Sequence, residues 1–125
     1  MYRCVLPLML AVSSLAAQAQ THRSFPVNAL RGDLVVTQYP DMTLNGQAAR
    51  LAPGGRIRNA DNLLAQPASL VNQRLTVHYT VEASTGLLMD VWVLNSVELA
   101  NKPWPTTRAE AASWKFDPGS QTWTK

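Results

Sequence analysis

The chain has 125 residues, of which 11 are basic and 8 acidic, with a formal net charge of +3 and one cysteine. So slight an excess, spread along the chain without a dense basic stripe, argues against a nucleic-acid partner. The length fits one domain, and no second is expected.

The chain opens "MYRCVLPLMLAVSSLAAQAQTHRS", in which Arg3 gives a positive start, Val5 to Leu15 an apolar stretch, and Ala17-Gln18-Ala19 a small-x-small cleavage site. This is the layout of a signal peptide over residues 1–19, cleaved after Ala19, and it predicts a periplasmic or secreted protein. The apolar run is shorter than the about 20 residues a membrane span needs. No membrane span is therefore expected once the signal peptide is removed. Cys4 leaves with the signal peptide, so the mature chain has no thiol for a disulfide, a thiolate metal site or a cysteine nucleophile.

Residues 20–31 are polar, contain Pro26, and are expected to be a flexible lead-in that becomes ordered near "FPVNAL". The small β-domain is expected over residues 32–96. "DLVVTQ", Asp33 to Gln38, is rich in β-branched residues and predicts the first strand. In "MTLNGQAARL", Asn45-Gly46 between two alternating runs predicts a type I′ hairpin turn. Pro53-Gly54-Gly55 predicts a turn before "RIRN", with Ile57 on one face and Arg56 and Arg58 on the other. "DNLLAQPASLVN" lacks strand alternation and predicts a short helix or helical turn and a loop. Arg74 to Glu82 and Leu87 to Leu94 are the two longest expected strands, joined around "ASTG".

Residues 97–125 are expected to be an irregular, tryptophan-rich C-terminal extension with short helical pieces at "SVELAN" and "TTRAEAAS". Thr107 and Glu110 have capping-box spacing. Pairing about Pro118-Gly119 sets Trp114 opposite Trp123, although L-Pro-Gly favours a turn whose twist suits a two-residue hairpin poorly. The fold expected is mainly β: a small five- to six-stranded barrel, OB-like or SH3-like, with one short helix.

Matching apolar faces sets the register of the two longest strands, pairing Val77 with Val93, Tyr79 with Val91 and Val81 with Met89. His78 then lies across from Trp92 and Thr80 across from Asp90, on a polar outer face. A dyad in which Asp90 orients His78 as a general base is one reading. It lacks a nucleophile, because no serine occupies a Gly-x-Ser-x-Gly elbow. A surface polar pair beside an aromatic is the plainer reading, and no catalytic residue is assigned. With His22 and His78 as the two histidines and no paired-ligand spacing, neither a metal nor a cofactor is expected.

Arg56 and Arg58, joined by Arg50 and Arg74 if the fold brings them near, are candidates to hold a carboxylate or phosphate, or else form a solvated strand face. Trp92, Trp104, Trp114 and Trp123 crowd the last third of the chain. They form either a platform for a sugar or peptide or a core buried by the extension. Arg31-Gly32-Asp33 matches an adhesion tripeptide but begins a strand. "LNGQAARLAPGGRIRNADNLL" and "LVNQRLTVHYTVEASTGLLMDVWVLN" together resemble short exported proteins of proteobacterial type that carry no assigned function. The resemblance implies a bacterial envelope setting and one small domain, and it brings no catalytic motif.

The reading that results is an exported, non-enzymatic binding module for an envelope protein or a glycan. Its candidate residues are Trp92, His78, Asp90, Arg56, Arg58, Trp114 and Trp123. The alternatives are an assembly subunit that packs through its extension, and a small hydrolase using His78 and Asp90. The oligomeric state is not set by the sequence.

Overall fold

The computed structural model describes residues 22–125, so the expected signal peptide lies outside the described residues. The described chain is mainly β. Strands β1 (Leu30–Gln38), β2 (Asp41–Leu44), β3 (Gln47–Arg58), β4 (Arg74–Val81) and β5 (Leu88–Val93) make one sheet. Helices α1 (Ser96–Ala100) and α2 (Arg108–Ser113) follow, then a two-stranded sheet of β6 (Lys115–Asp117) and β7 (Thr122–Thr124). In the larger sheet the order is β1-β2-β3-β5-β4, and β4 pairs back onto β1. Every pairing is antiparallel except β3 with β5.

Period-two alternation builds the core inside this sheet. Leu34, Val36, Met42, Leu51, Ile57, Val77, Tyr79, Leu88 and Val91 are all buried there. The β2–β3 hairpin closes as its sequence predicts, with Asn45 at φ 52° and Gly46 at φ 80°. Asn45 Oδ1 also accepts the Asp33 N–H at 2.9 Å, tying the turn to β1.

Several expectations need correction. β1 begins at Leu30 rather than Asp33. Pro53-Gly54-Gly55 does not end a strand. β3 runs straight through it, with a register shift between Leu51 and Arg56 opposite β5. Gly54 takes φ 81°, and a Cβ on Gly55 would lie 2.8 Å from Leu51 Cγ, so the two glycines permit a bulge that a bulkier pair would block. Of the short helix or helical turn expected between β3 and β4, the helical turn forms, at Pro67–Leu70, but it follows the loop instead of preceding it. Before it, Asn59 Oδ1 accepts the backbone N–H groups of Asp61 and Leu63, which holds the chain in a turn instead of a helix.

Val77 pairs with Val93, His78 with Trp92 and Tyr79 with Val91, as apolar matching predicts, but a register shift then sets Val81 opposite Leu88 instead of Met89. Leu88 consequently enters the core and Met89 lies half-buried. In the last hairpin Trp123 faces Phe116, not Trp114. The connection takes four residues, Pro118–Gln121, with Gln121 at φ 55°, which avoids the splayed strands that a two-residue Pro-Gly turn would impose.

Of the two readings of the tryptophan-bearing outer face of β4 and β5, an open platform or a core buried by the extension, the second is what forms, and the polar surface read for His78 is covered with it. Residues 23–29 and the chain from α1 to β7 fold over this face as a cap. Phe25, Ala29, Leu94, Trp104 and Trp123 form a second apolar core there, against which Trp92, Trp114 and Phe116 pack. The lead-in is thus part of the structure: the Phe25 N–H donates to Gln121 Oε1 at 2.8 Å, and Trp104 Nε1 donates to the Ala29 carbonyl at 2.9 Å. No helix among the described residues is long and apolar enough to cross a membrane.

Candidate functional site

Strand pairing aligns five of the sequence's candidate residues, Arg56, Arg58, His78, Asp90 and Trp92, across the outer face. Arg58 is the β3 partner of Trp92, Trp92 the β5 partner of His78, and His78 the β4 partner of Arg31; one step along, Arg56 is the partner of Asp90. The cap then decides which of them meets solvent. His78 is 1% exposed, stacked on Trp104 at 4.0 Å between ring centroids and meeting the edge of Phe25 at 4.4 Å. Phe25 also covers Trp92, with ring centroids 5.4 Å apart. Trp123 is buried, and Trp114 is half-buried with Lys125 Nζ 5.2 Å from its ring.

His78 and Asp90 do not form a dyad. Arg31 Nε donates to His78 Nε2 at 3.2 Å, and His78 Nδ1 has no partner among the described residues. The Asp90 backbone N–H is bound to Thr80 Oγ1 at 3.2 Å. Burial first, then the nearby Arg31 and Arg23 charges, push the His78 pKa down to about 2. A histidine so placed stays neutral at ordinary pH and packs as an aromatic ring.

The polar linchpin of the cap is a pair that sequence reasoning missed. Glu98 is 1% exposed and takes the Arg23 guanidinium on both oxygens, Nη2 to Oε1 at 2.6 Å and Nε to Oε2 at 2.9 Å. The same guanidinium donates to the carbonyls of Asn59 and Val93, so one side chain joins cap, β3–β4 connection and β5. Burial drives the Glu98 carboxyl up, but the Arg23 and Asn95 hydrogen bonds and the Arg23 charge outweigh it and hold the pKa below the usual carboxylate value. The signal available was Asn95-x-x-Glu98, whose capping box is reciprocal. Arg23 itself carried none.

The surface left open lies elsewhere. β3, the Tyr39 turn and the β3–β4 connection enclose a cleft of about 440 Å³ bounded by Tyr39, Leu51, Arg56, Ile57, Leu64 and Pro67 among others. Tyr39 and Leu64 stand 56% and 66% exposed at its edge, an unusual position for large apolar groups when they are clustered. Ile57 is buried while Arg56 is exposed, as alternation predicts, which puts a cation on a largely apolar cleft. Arg50 instead pairs with Asp41 on the surface at 3.1 Å, and Arg74 lines a different depression, so the four arginines do not converge.

No group of three or more His, Cys, Asp or Glu that could hold a metal occurs among the described residues. The arrangement offers apolar contact plus one guanidinium, which suits binding. Comparison with known proteins gives no matching family model, curated protein or solved structure, so the reading of the site rests on its own geometry.

Proposed function

We propose that the chain is an exported, non-enzymatic binding module that uses the β3 cleft to capture an apolar, acidic segment of an envelope protein. The cleft carries this reading: Tyr39 and Leu64 are solvent-facing anchors, and Arg56 supplies the charge that a carboxylate in the partner would meet. The strand order, the parallel β3–β5 pair and the helical turn between β3 and β4 favour an OB-like small barrel as its scaffold. Export follows from the Arg3, Val5–Leu15, Ala17-Gln18-Ala19 pattern at the N-terminus.

A protein partner is favoured over a glycan because Trp104 and Trp123, which could have stacked a sugar, are buried between the cap and the sheet. Trp104, Phe116 and Trp123 of the extension pack on its own sheet, which weighs against the assembly alternative. A photoreactive residue in place of Tyr39, in cells making the protein, is expected to give a discrete protein adduct that Leu64→Asp abolishes. The same residue in place of Thr122, exposed on the cap, is expected to give none. Identical adducts from both positions, or none from position 39, would sink the proposal.

A further inference from the structure

At the end of the sheet formed by the β2–β3 hairpin and the β4–β5 loop, the inner core opens into a second cavity. Leu44, Ala49, Tyr79 and Leu88 lie within it, Thr106, Thr107 and Arg108 border it, and its volume is about 430 Å³. A neighbouring hollow of about 300 Å³ shares Leu30, Val81 and Arg108 with it, so the two flank one guanidinium. Small-ligand sites occupy roughly 300 to 1,000 Å³ and join apolar walls to a few convergent polar groups.

Two polar groups converge here without partners. Tyr79 is 5% exposed, and its hydroxyl has no hydrogen-bond partner among the described residues. The hydroxyl is not among the buried unpartnered atoms, so it is reached through the cavity that Tyr79 lines and is open to a ligand there. The Arg108 side chain likewise has neither ion pair nor hydrogen bond among the described residues. The two groups sense each other: burial raises the Tyr79 pKa and the Arg108 charge pulls it partly back, which leaves the hydroxyl a neutral donor.

We propose that this cavity is a binding site for a small monocarboxylic acid with an apolar chain, its carboxylate held by Arg108 and the Tyr79 hydroxyl and its chain against Leu44, Val81 and Leu88. A guanidinium fork matches two carboxylate oxygens, and the hydroxyl adds a third donor to them. One guanidinium balances one negative charge. A dianionic phosphate would leave a second charge facing leucine and alanine side chains, which argues against it.

The probe is octanoate, titrated into the isolated protein and followed by amide chemical shifts and calorimetry, with 1-octanol as the uncharged control. Saturable binding is expected, with shifts centred on Tyr79, Leu88 and Arg108 and octanol at least about tenfold weaker. Arg108→Gln is expected to weaken octanoate about tenfold or more, and Tyr79→Phe severalfold. Both variants should fold, since one side chain is exposed and the other loses only an unpartnered hydroxyl. Tyr39→Ala is expected to leave octanoate binding unchanged, which separates this cavity from the β3 cleft. Absence of saturable binding, shifts centred on Tyr39 and Leu64, or an unaltered affinity in Arg108→Gln would overturn the proposal.

Discussion

The core inside the five-stranded sheet and the core beneath the cap solve the same problem with different materials. Inside, Leu34, Val36, Ile57, Val77 and Val91 come from adjacent strands at alternate positions and need only the pleat to bring them together. Beneath the cap, Phe25, Trp104 and Trp123 come from segments far apart in sequence, and aromatic rings meet edge-on at 5.9 and 6.0 Å around Trp104. The outer core also depends on polar fasteners, the Arg23–Glu98 pair above all, whereas the inner core is held by packing of apolar side chains from alternate strand positions. A core of aliphatic alternation should therefore fail as a unit, and a fastened core should fail at its fasteners.

Glu98→Ala tests this most severely. It leaves Arg23 in a pocket built for a carboxylate, and breaking a buried pair of this kind costs about 3–5 kcal/mol. The cap tryptophans are expected to lose their near-ultraviolet circular dichroism, while amides of β1 and β4 remain protected from hydrogen exchange. If sheet and cap amides lose protection together, the two cores are one cooperative unit and the comparison fails.

Leu34→Ala is the complementary break, inside the sheet at a fully buried position. Large-to-small changes at such sites cost about 2–5 kcal/mol. Tryptophan fluorescence and far-ultraviolet circular dichroism are expected to report a single coincident unfolding transition, since the cap has no scaffold once the sheet opens. Separate transitions would mean that the cap holds without the sheet.

A smaller effect sharpens the contrast through pH. His78 is buried neutral, so the unfolded chain binds a proton near pH 6.5 that the folded chain refuses down to about pH 2. Its contribution is complete above pH 6.5 and is lost as pH falls across that window, at up to about 1.4 kcal/mol per pH unit. Glu98, with its pKa lowered in the folded state, adds the same sign of dependence only below the usual carboxylate range. Between pH 6.5 and 5 the slope should come from His78, and urea unfolding of His78→Gln is expected to be flatter there than that of the parent chain. Equal slopes would show that the histidine is protonated in the folded protein.

The sequence by itself determined what depends on neighbours along the chain or on the period of two. The Asn45-Gly46 hairpin, the His78–Trp92 register and the opposite facing of Ile57 and Arg56 were all legible, because backbone torsion preference and apolar matching act locally. The Pro53-Gly54-Gly55 bulge was misread as a turn, because the residues that permit a bulge also permit a reversal, and only pairing with β5 selects between them.

Only the tertiary structure decided the fate of the candidate site. Nothing local to Trp92 or His78 says that Phe25 and Trp104 will cover them, or that Arg23 will find Glu98 at a separation of 75 residues. Burial of a face is set by what else in the chain is apolar and able to reach it. That long-range competition moved the open surface from the tryptophans to Tyr39, Leu64 and Arg56.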